Sequence, residues 1–393
     1  MTLQTPDLND VGRMAVSPRK AMIGPIAANV AFVTELTLVP LLLPAIHKQF
    51  GLSISELAWV FNSYGIAVAV GVLLGGWCGD AFNTRKVFGY GVALFAAGSM
   101  LVASANSIEW LIIGRTLQGF GGGIFSPLVP LLLTRASPKK PGRVLIVWGS
   151  IAGYIAALAP LFFGTLFHEQ SWNYAFVFIT AIAAIALIVL NGLKPRDAQT
   201  PDRDATTDYT ALFRKKELWV TFVYVFCTYG SITYYLFRLP VWLSENDVSA
   251  AGVGFALSIM WLTFSGLSTL LRNMVDRPHI RAIMLAAPIL IVLGFWLSNF
   301  NQTVFLLIAS SVMVGSGLAC SNAPSTQLVL RFAPKGMSAI STSLDITFAR
   351  LGGIATVAIL AEADFAYAAI ATGLSCLVAA GCALVSNKAL KEI

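Results

Sequence analysis

Charged residues are scarce in this sequence of 393 residues, since only 11% are Asp, Glu, Lys or Arg and 57% are hydrophobic. An ordinary soluble domain has about 25% charged residues and cannot bury so much apolar surface. The scarcity therefore excludes a soluble fold and predicts a protein that crosses the membrane many times. The net charge of +7 then reflects basic loops beside the membrane, and we predict no nucleic-acid partner.

Cysteine and histidine are also rare, with five and three residues. The cysteines are odd in number and lack the spacing of zinc ligands, so we predict neither a disulfide framework nor a metal site. None of the histidines, His47, His168 and His279, forms a catalytic motif with an acid, which argues against a membrane enzyme. The glycines of residues 119–123 lie in an apolar run with no Lys-Ser or Lys-Thr after them. This is not a phosphate-binding loop, and we predict no cofactor and no ATP-driven step.

Long apolar runs bounded by charged or turn-forming residues predict twelve membrane-spanning α-helices. They are placed near residues 22–44, 57–80, 87–105, 109–134, 144–167, 172–193, 217–243, 250–271, 282–300, 302–323, 338–361 and 364–386. A polar stretch separates the first six spans from the last six. We therefore predict an all-α membrane protein with a six-helix bundle at 1–193, a cytoplasmic linker at 194–216 and a second six-helix bundle at 217–393.

Basic residues predict the orientation of these helices. Of the 26 lysines and arginines, 22 fall in the two tails, the linker and the loops after helices 2, 4, 8 and 10. The loops on the opposite side hold only Lys48. Because basic loops stay on the cytoplasmic side, we predict that the N and C termini are cytoplasmic, in a multi-pass protein of the cell inner membrane.

The two halves of the sequence resemble each other at a shift of 196 residues. Four pairs align at equivalent places in the spans, namely Pro44 with Pro240, Asp80 with Asp276, Gly119 with Gly315 and Gly121 with Gly317. A parallel repeat of six helices is the pattern of major facilitator transporters. The repeat therefore indicates two bundles related by a pseudo-two-fold axis.

The loop after helix 2 carries a motif that resembles the loop 2–3 motif of this superfamily. Residues 76–80 read Gly-Trp-Cys-Gly-Asp and are followed by two basic residues. The resemblance implies a conformational latch on the cytoplasmic side formed by Gly76, Asp80, Arg85 and Lys86. Asn83 stands where the family usually has glycine, and because Asn tolerates left-handed backbone we expect the turn to survive. Ordinary positive-inside charge is the alternative explanation.

Helix 4 contains Arg115-Thr116-Leu117-Gln118-Gly119, which resembles a motif of drug:proton antiporters in the superfamily. An arginine inside a span costs at least ~2.5 kcal/mol and needs a partner or water. In helix 1, Glu35 precedes Pro44 by nine residues, a spacing similar to that of the 14-helix drug exporters, which usually carry Asp. The depths of Glu35 and Arg115 differ by about 5 Å, so the two side chains can pair. Snorkelling is the alternative for Arg115.

Small residues predict close packing of helices. Gly119 lies in helix 4, and helix 5 carries Gly149, Gly153, Ala156, Pro160 and Gly164 on one face. Such a face lets a neighbouring helix approach closely, and the proline bends its own helix. The pattern in helix 5 resembles the antiporter motif of the superfamily in degraded form. Generic packing of small residues is the alternative.

Ionisable residues inside spans mark candidate functional sites. Glu35 is the predicted proton carrier with Arg115 beside it, and Asp345 is either a second carrier or the structural partner of an arginine. The predicted substrate-binding residues are Arg350, Arg238, Tyr234, Tyr235 and Asn62. Snorkelling explains Arg238 equally well, and Asp345 and Arg350 point about 140° apart on their helix and are not expected to pair. Three arginines against two acids favour neutral, zwitterionic or carboxylate-bearing substrates.

The resemblance as a whole implies a proton-coupled secondary exporter of a small organic molecule, either a drug or an endogenous metabolite such as a carboxylate siderophore. It implies alternating access in a lipid bilayer by a monomer that binds substrate and protons. A proton-coupled importer of a small metabolite with the same fold is the alternative, because the helix 5 motif is degraded.

Overall fold

The structure is a computed structural model that describes residues 18–137, 141–166, 172–191, 212, 214–271, 280–300, 303–334 and 337–391. Secondary structure within these ranges is helical, with no strand. The helices with described bounds are α1 Pro18–Phe50, α2 Ile54–Ala81, α3 Thr84–Ala103, α4 Ile108–Phe125, α5 Leu128–Ala136, α6 Pro141–Leu166, α7 Trp172–Asn191, α8 Lys216–Glu245, α9 Ala250–Leu271, α10 Ile280–Phe300, α11 Val304–Phe332, α12 Ser338–Leu360 and α13 Phe365–Lys391. Most of the predicted linker lies outside the described residues.

Twelve helical segments in the described part of the chain are long and apolar enough to cross a membrane. This confirms the predicted all-α protein with twelve spans. The fourth span, Ile108–Ala136, consists of α4 and α5 and is interrupted at Pro127, because proline has no N–H for the helical hydrogen bonds. In contrast, α11 runs through Pro324 and ends nine residues after the predicted boundary at 323, since membrane helices tolerate proline where neighbouring groups compensate.

Glycines set α4 tightly against α2 and α3. A Cβ added to Gly71 would lie 2.6 Å from the carbonyl oxygen of Phe120, and one on Gly98 would lie 2.6 Å from the Cα of Gln118. Gly119 faces the backbone of Tyr64, as its predicted packing role requires. A larger residue at these positions would force the backbones apart. The close packing holds α4, and therefore Arg115, at a defined place between its neighbours.

Two helix pairs make most of the contact between the first half of the chain, α1–α7, and the second half, α8–α13. In these pairs α2 packs on α12, and α6 packs on α9. A Cβ on Gly164 would lie 3.3 Å from the Cα of Gly254, the Pro160 carbonyl faces the same glycine, and Gly153 faces another residue of α9. Gly149 has no described atom within 4 Å of an added Cβ. The packing role predicted for Gly149 therefore has no contact among the described residues and stays a prediction.

The turn between α2 and α3 survives through a helix cap rather than through left-handed backbone. Asn83 is extended, with φ −62° and ψ 106°. Its Oδ1 accepts hydrogen bonds from the backbone N–H groups of Arg85 at 3.1 Å and Lys86 at 3.2 Å. Asn83 thus forms the turn without the left-handed backbone that it would tolerate, because a side chain that caps the first N–H groups of a helix comes from an extended residue.

The predicted latch residues surround this turn. Arg85 donates to the carbonyl of Leu190 at the end of α7, and Lys86 is exposed. Gly76 lies against the second half, where a Cβ would be 3.6 Å from Ser343 Oγ. The side chain of Asp80 lies outside the described residues. The turn therefore joins α3 to α7, while the latch itself stays a prediction.

Candidate functional site

An ion pair inside the bundle joins the two predicted charges of the first half. Arg115 Nη1 on α4 donates to Glu35 Oε1 on α1. The exposed fractions are 2% for Arg115 and 0% for Glu35, so Arg115 does not snorkel to the surface. Removing one partner would leave the other as an uncompensated buried charge, at a loss of about 3–5 kcal/mol. Each residue therefore depends on the other for its charge.

A chain of hydrogen bonds holds the arginine from the other side. Arg115 Nη1 also donates to Gln118 Oε1 at 2.7 Å, and Gln118 Nε2 donates to Ser99 Oγ of α3 at 2.8 Å. Ser99 in turn donates to the Phe95 carbonyl at 2.8 Å. Sequence reasoning quoted Gln118 only as part of a motif and missed Ser99. The spacing of three residues between Arg115 and Gln118 was an available signal, because it places both on one helix face.

The Glu35–Arg115 pair faces a small central cavity between the two halves. Asn62 of α2 and Arg350 of α12 share its wall, together with Leu36, Val39, Pro40, Phe61, Tyr64, Gly65, Thr233, Leu236 and Ile354. The cavity has a volume of about 60 Å³, whereas pockets for drug-sized ligands measure about 300–1,000 Å³. In this conformation the cavity accommodates water but not such a ligand. It has to widen before a substrate can enter.

Arg350 adds a second positive charge to the cavity wall. It forms no ion pair within the described part of the chain. One turn further along α12, the carbonyl of Ile354 accepts a hydrogen bond from Asn62 Nδ2 at 3.2 Å, which ties α2 to α12. Since arginine stays protonated in proteins, the cavity holds two positive charges and the carboxyl group of Glu35. An ionised Glu35 leaves a net charge of +1.

Asp345 lies apart from this cavity, although α12 carries both Asp345 and Arg350. The aspartate is 7% exposed, and its Oδ1 has no hydrogen-bond partner among the described residues. Its side-chain partner is Thr326 of α11. The two charges of α12 form no ion pair, as their angular separation predicts. Asp345 is therefore a buried acid of the second half without a compensating arginine in an ion pair.

The spans, the internal repeat and the buried pair all resemble one group of proteins, and the comparison with known families agrees. Residues 26–357 match the Major Facilitator Superfamily. The chain belongs to this superfamily. Its fold is similar to that of a D-xylose-proton symporter, with a TM-score of 0.75 and 16% identity over 94% of this chain and 96% of the symporter. At that identity the likeness shows the fold alone.

Two relatives of this superfamily chain have names that refer to resistance or export. The multidrug resistance protein B homolog of Mycobacterium tuberculosis is 32% identical over 56% of this chain and 39% of its own length. The tetracenomycin C resistance and export protein of Streptomyces glaucescens is 26% identical over 86% of this chain and 63% of its own length. The chain thus spans less than two thirds of the length of either relative.

Three predicted substrate-binding residues do not reach the central cavity. Tyr234 and Tyr235 are fully buried in the second half, where their hydroxyl groups pair with the Leu360 carbonyl at 3.1 Å and Ser310 Oγ at 2.7 Å. Successive residues of a helix point about 100° apart, and the cavity side of α8 is instead formed by its neighbours Thr233 and Leu236. The prediction that these tyrosines line the cavity is therefore wrong.

Arg238 also lies outside the residues that line the cavity. Its Nη1 pairs with Glu245 Oε2 at 3.0 Å near the end of α8, and Glu245 is partly exposed. This position fits the alternative of an arginine that reaches toward the surface. Within the described residues no group of three or more His, Cys, Asp or Glu could hold a metal ion. The cavity wall offers charged and polar side chains, among them Glu35, Arg115 and Arg350.

Proposed function

We propose that the chain exports a small organic molecule in exchange for protons, by alternating access in the cell inner membrane with both termini in the cytoplasm. The observation that carries the proposal is the shared cavity. The Glu35–Arg115 pair lines this cavity between the two halves together with Arg350, which forms no ion pair within the described part of the chain. A proton-binding group and an anion-binding group therefore face the same space.

Glu35 is the proposed proton carrier. A carboxylate at this depth is stable only while a positive charge compensates it, and Arg115 supplies that charge. When the cavity opens toward an acidic compartment, water and protons reach Glu35. When it opens toward the cytoplasm, a substrate can compete with the bound proton. Protonation and substrate binding then exclude each other, which is the condition for exchange.

The charges of the cavity favour a zwitterionic substrate. Arg350 is the proposed partner of an acidic group, because a bidentate guanidinium suits a carboxylate or a phosphate. A simple anion would draw a proton onto Glu35 and would thereby favour cotransport. A substrate that also presents a cationic or hydrogen-bond-donating group to Glu35 stabilises the carboxylate and expels the proton. An acidic group at one end and a donor group at the other therefore fit exchange.

The names of the relatives favour export over import, since both refer to resistance and one to export. The importer alternative has the same fold and would load substrate and proton together. The two functions thus differ in the sign of the proton movement when substrate binds. Measuring that sign needs neither a vesicle nor a membrane potential.

The test is proton release from the purified protein in weakly buffered detergent. We expect rhodamine B, a zwitterionic dye, to release protons from wild type and not from Glu35→Gln. Glu362→Gln is the matched control, because Glu362 lies in an exposed turn between α12 and α13. Proton uptake on binding of rhodamine B would contradict exchange and support the importer. Release that persists in Glu35→Gln would move the carrier elsewhere.

Direction is tested in everted membrane vesicles with an acidic interior. Export predicts that rhodamine B accumulates in these vesicles and that Arg350→Gln reduces the accumulation. Ethidium, a cationic dye without an acidic group, is expected to accumulate poorly. If ethidium accumulates as well as rhodamine B, and Arg350→Gln changes neither, Arg350 does not bind the substrate.

A further inference from the structure

Tyr64 of α2 packs against Arg115 of the buried ion pair and lines the same cavity as Glu35. Tyr64 is 4% exposed. Its ring lies under the guanidinium group of Arg115, and the Cζ atom of the arginine is 4.2 Å from the ring centroid. A guanidinium at this distance is attracted by the face of the ring, and burial strengthens the attraction. The ring therefore holds Arg115 in place independently of Glu35.

The hydroxyl group of Tyr64 is buried and has no hydrogen bond within the described residues. The same is true of Glu35 Oε2, the carboxyl oxygen that Arg115 does not hold. Both residues line the same cavity, and neither atom has a hydrogen-bond partner among the described residues. Buried polar atoms are normally paired, and each unpaired one is unfavourable. Two unpaired neighbours indicate a bond that another state of the site makes.

We propose that Tyr64 is a positioning residue that takes over Glu35 when this acid binds a proton and leaves Arg115. This inference rests on the proposed role of Glu35 in proton coupling. In the ionised state that we assign to the arrangement in the structure, Arg115 holds one carboxyl oxygen of Glu35 and Tyr64 supports the arginine. In the protonated state, Glu35 turns by a small rotation and bonds the tyrosine hydroxyl. The proton comes from water in the cavity and stays on Glu35, and Tyr64 neither gains nor loses one.

The charged or titratable groups around the cavity beside Glu35 come from three helices. Arg115 lies on α4, Tyr64 on α2, and Arg350 on α12 across the cavity. The remaining wall is apolar or carries the neutral Asn62. Removing the Tyr64 hydroxyl leaves the ionised arrangement intact, because the hydroxyl makes no bond there. It removes a bond from the protonated arrangement only, so Glu35 should bind its proton less readily.

The experiment is an infrared titration of the purified protein in detergent, without substrate. The carboxyl band that disappears in Glu35→Gln belongs to Glu35, and its intensity is followed against pH. In Tyr64→Phe we expect the midpoint to move to lower pH by about one unit, a tenfold change in proton concentration, which is the effect of one lost hydrogen bond.

The matched control is Tyr224→Phe, which removes a buried hydroxyl that bonds the Met284 carbonyl at 2.9 Å in the second half. It should leave the midpoint of Glu35 unchanged. A midpoint that stays in place in Tyr64→Phe, or that moves to higher pH, would overturn the inference. Absence of a Glu35 band at every pH would overturn both this inference and the proposed proton carrier. If the Glu35 midpoint shifts in Tyr64→Phe as expected but substrate binding releases no protons, only the proposed function is overturned.

Discussion

Gln118 is expected to be the residue through which the α3–α4 contact stabilises the buried charge of Arg115. Its side chain is fully buried and bridges Arg115 on one side and Ser99 on the other. Replacing it by leucine keeps a similar volume and removes both bonds. The arginine then loses a charge-assisted partner in a place where water cannot replace it.

The magnitude follows from the two bonds. A hydrogen bond to a charged group contributes about 1.5–3 kcal/mol, and a neutral bond between membrane helices averages about 0.6 kcal/mol. Gln118→Leu should therefore lower the free energy of unfolding by about 2–3.5 kcal/mol. Ser99→Ala removes only the neutral bond to Gln118 and its own bond within α3, so its effect should be clearly smaller.

The assay is unfolding in mixed micelles by increasing the fraction of denaturing detergent, followed by circular dichroism. Thr116→Val is the matched control, because Thr116 lies on the exposed side of α4 and bonds only its own helix, to the Ile112 carbonyl at 2.8 Å. We expect no measurable change there. If Gln118→Leu is as stable as Thr116→Val, the bond from Gln118 does not contribute to holding Arg115, and the reasoning is refuted.

Two further changes test the packing and the second buried acid. Gly71→Val should abolish the folded protein in size-exclusion chromatography, because its Cβ would lie 2.6 Å from the Phe120 carbonyl in the α2–α4 contact; a monodisperse, wild-type-like elution profile would contradict this. Asp345→Asn should keep the proton release caused by rhodamine B, because Asp345 does not line the cavity that contains Glu35. A release that is lost in this variant would make Asp345 part of the coupling.

The twelve spans follow from the sequence because hydropathy is a local property. Each apolar run has to be covered by lipid or by other helices, and each has to satisfy its own backbone hydrogen bonds within the bilayer. The Glu35–Arg115 pair could also be predicted from the sequence, since the depth of each residue in the membrane follows from the rise per residue of its helix. Helical geometry also predicts that Asp345 and Arg350 do not pair, because both lie on one helix and their side chains point in different directions.

Rotation and crossing of helices are not local, and the errors of the sequence analysis lie there. Tyr234 and Tyr235 are polar aromatic residues that suit a cavity wall as well as a buried core, and only the packing of α8 on α10, α11 and α12 decided that they belong to the core. Gly149 continues a regular stripe, yet a Cβ added there would meet no described atom within 4 Å. A regular spacing of small residues looks the same in the sequence whether or not a neighbouring helix contacts each of them.

The sequence by itself determined the membrane class, the number of spans and the identity of the buried charges, since an ionisable residue in an apolar run is rare enough to stand out. Only the tertiary structure placed Arg350 and Asn62 beside the Glu35–Arg115 pair, joined Gln118 to Ser99, and set the Tyr64 ring against Arg115. These contacts connect residues that are far apart in the chain. Their distances depend on how whole helices pack, and no short stretch of sequence contains that information.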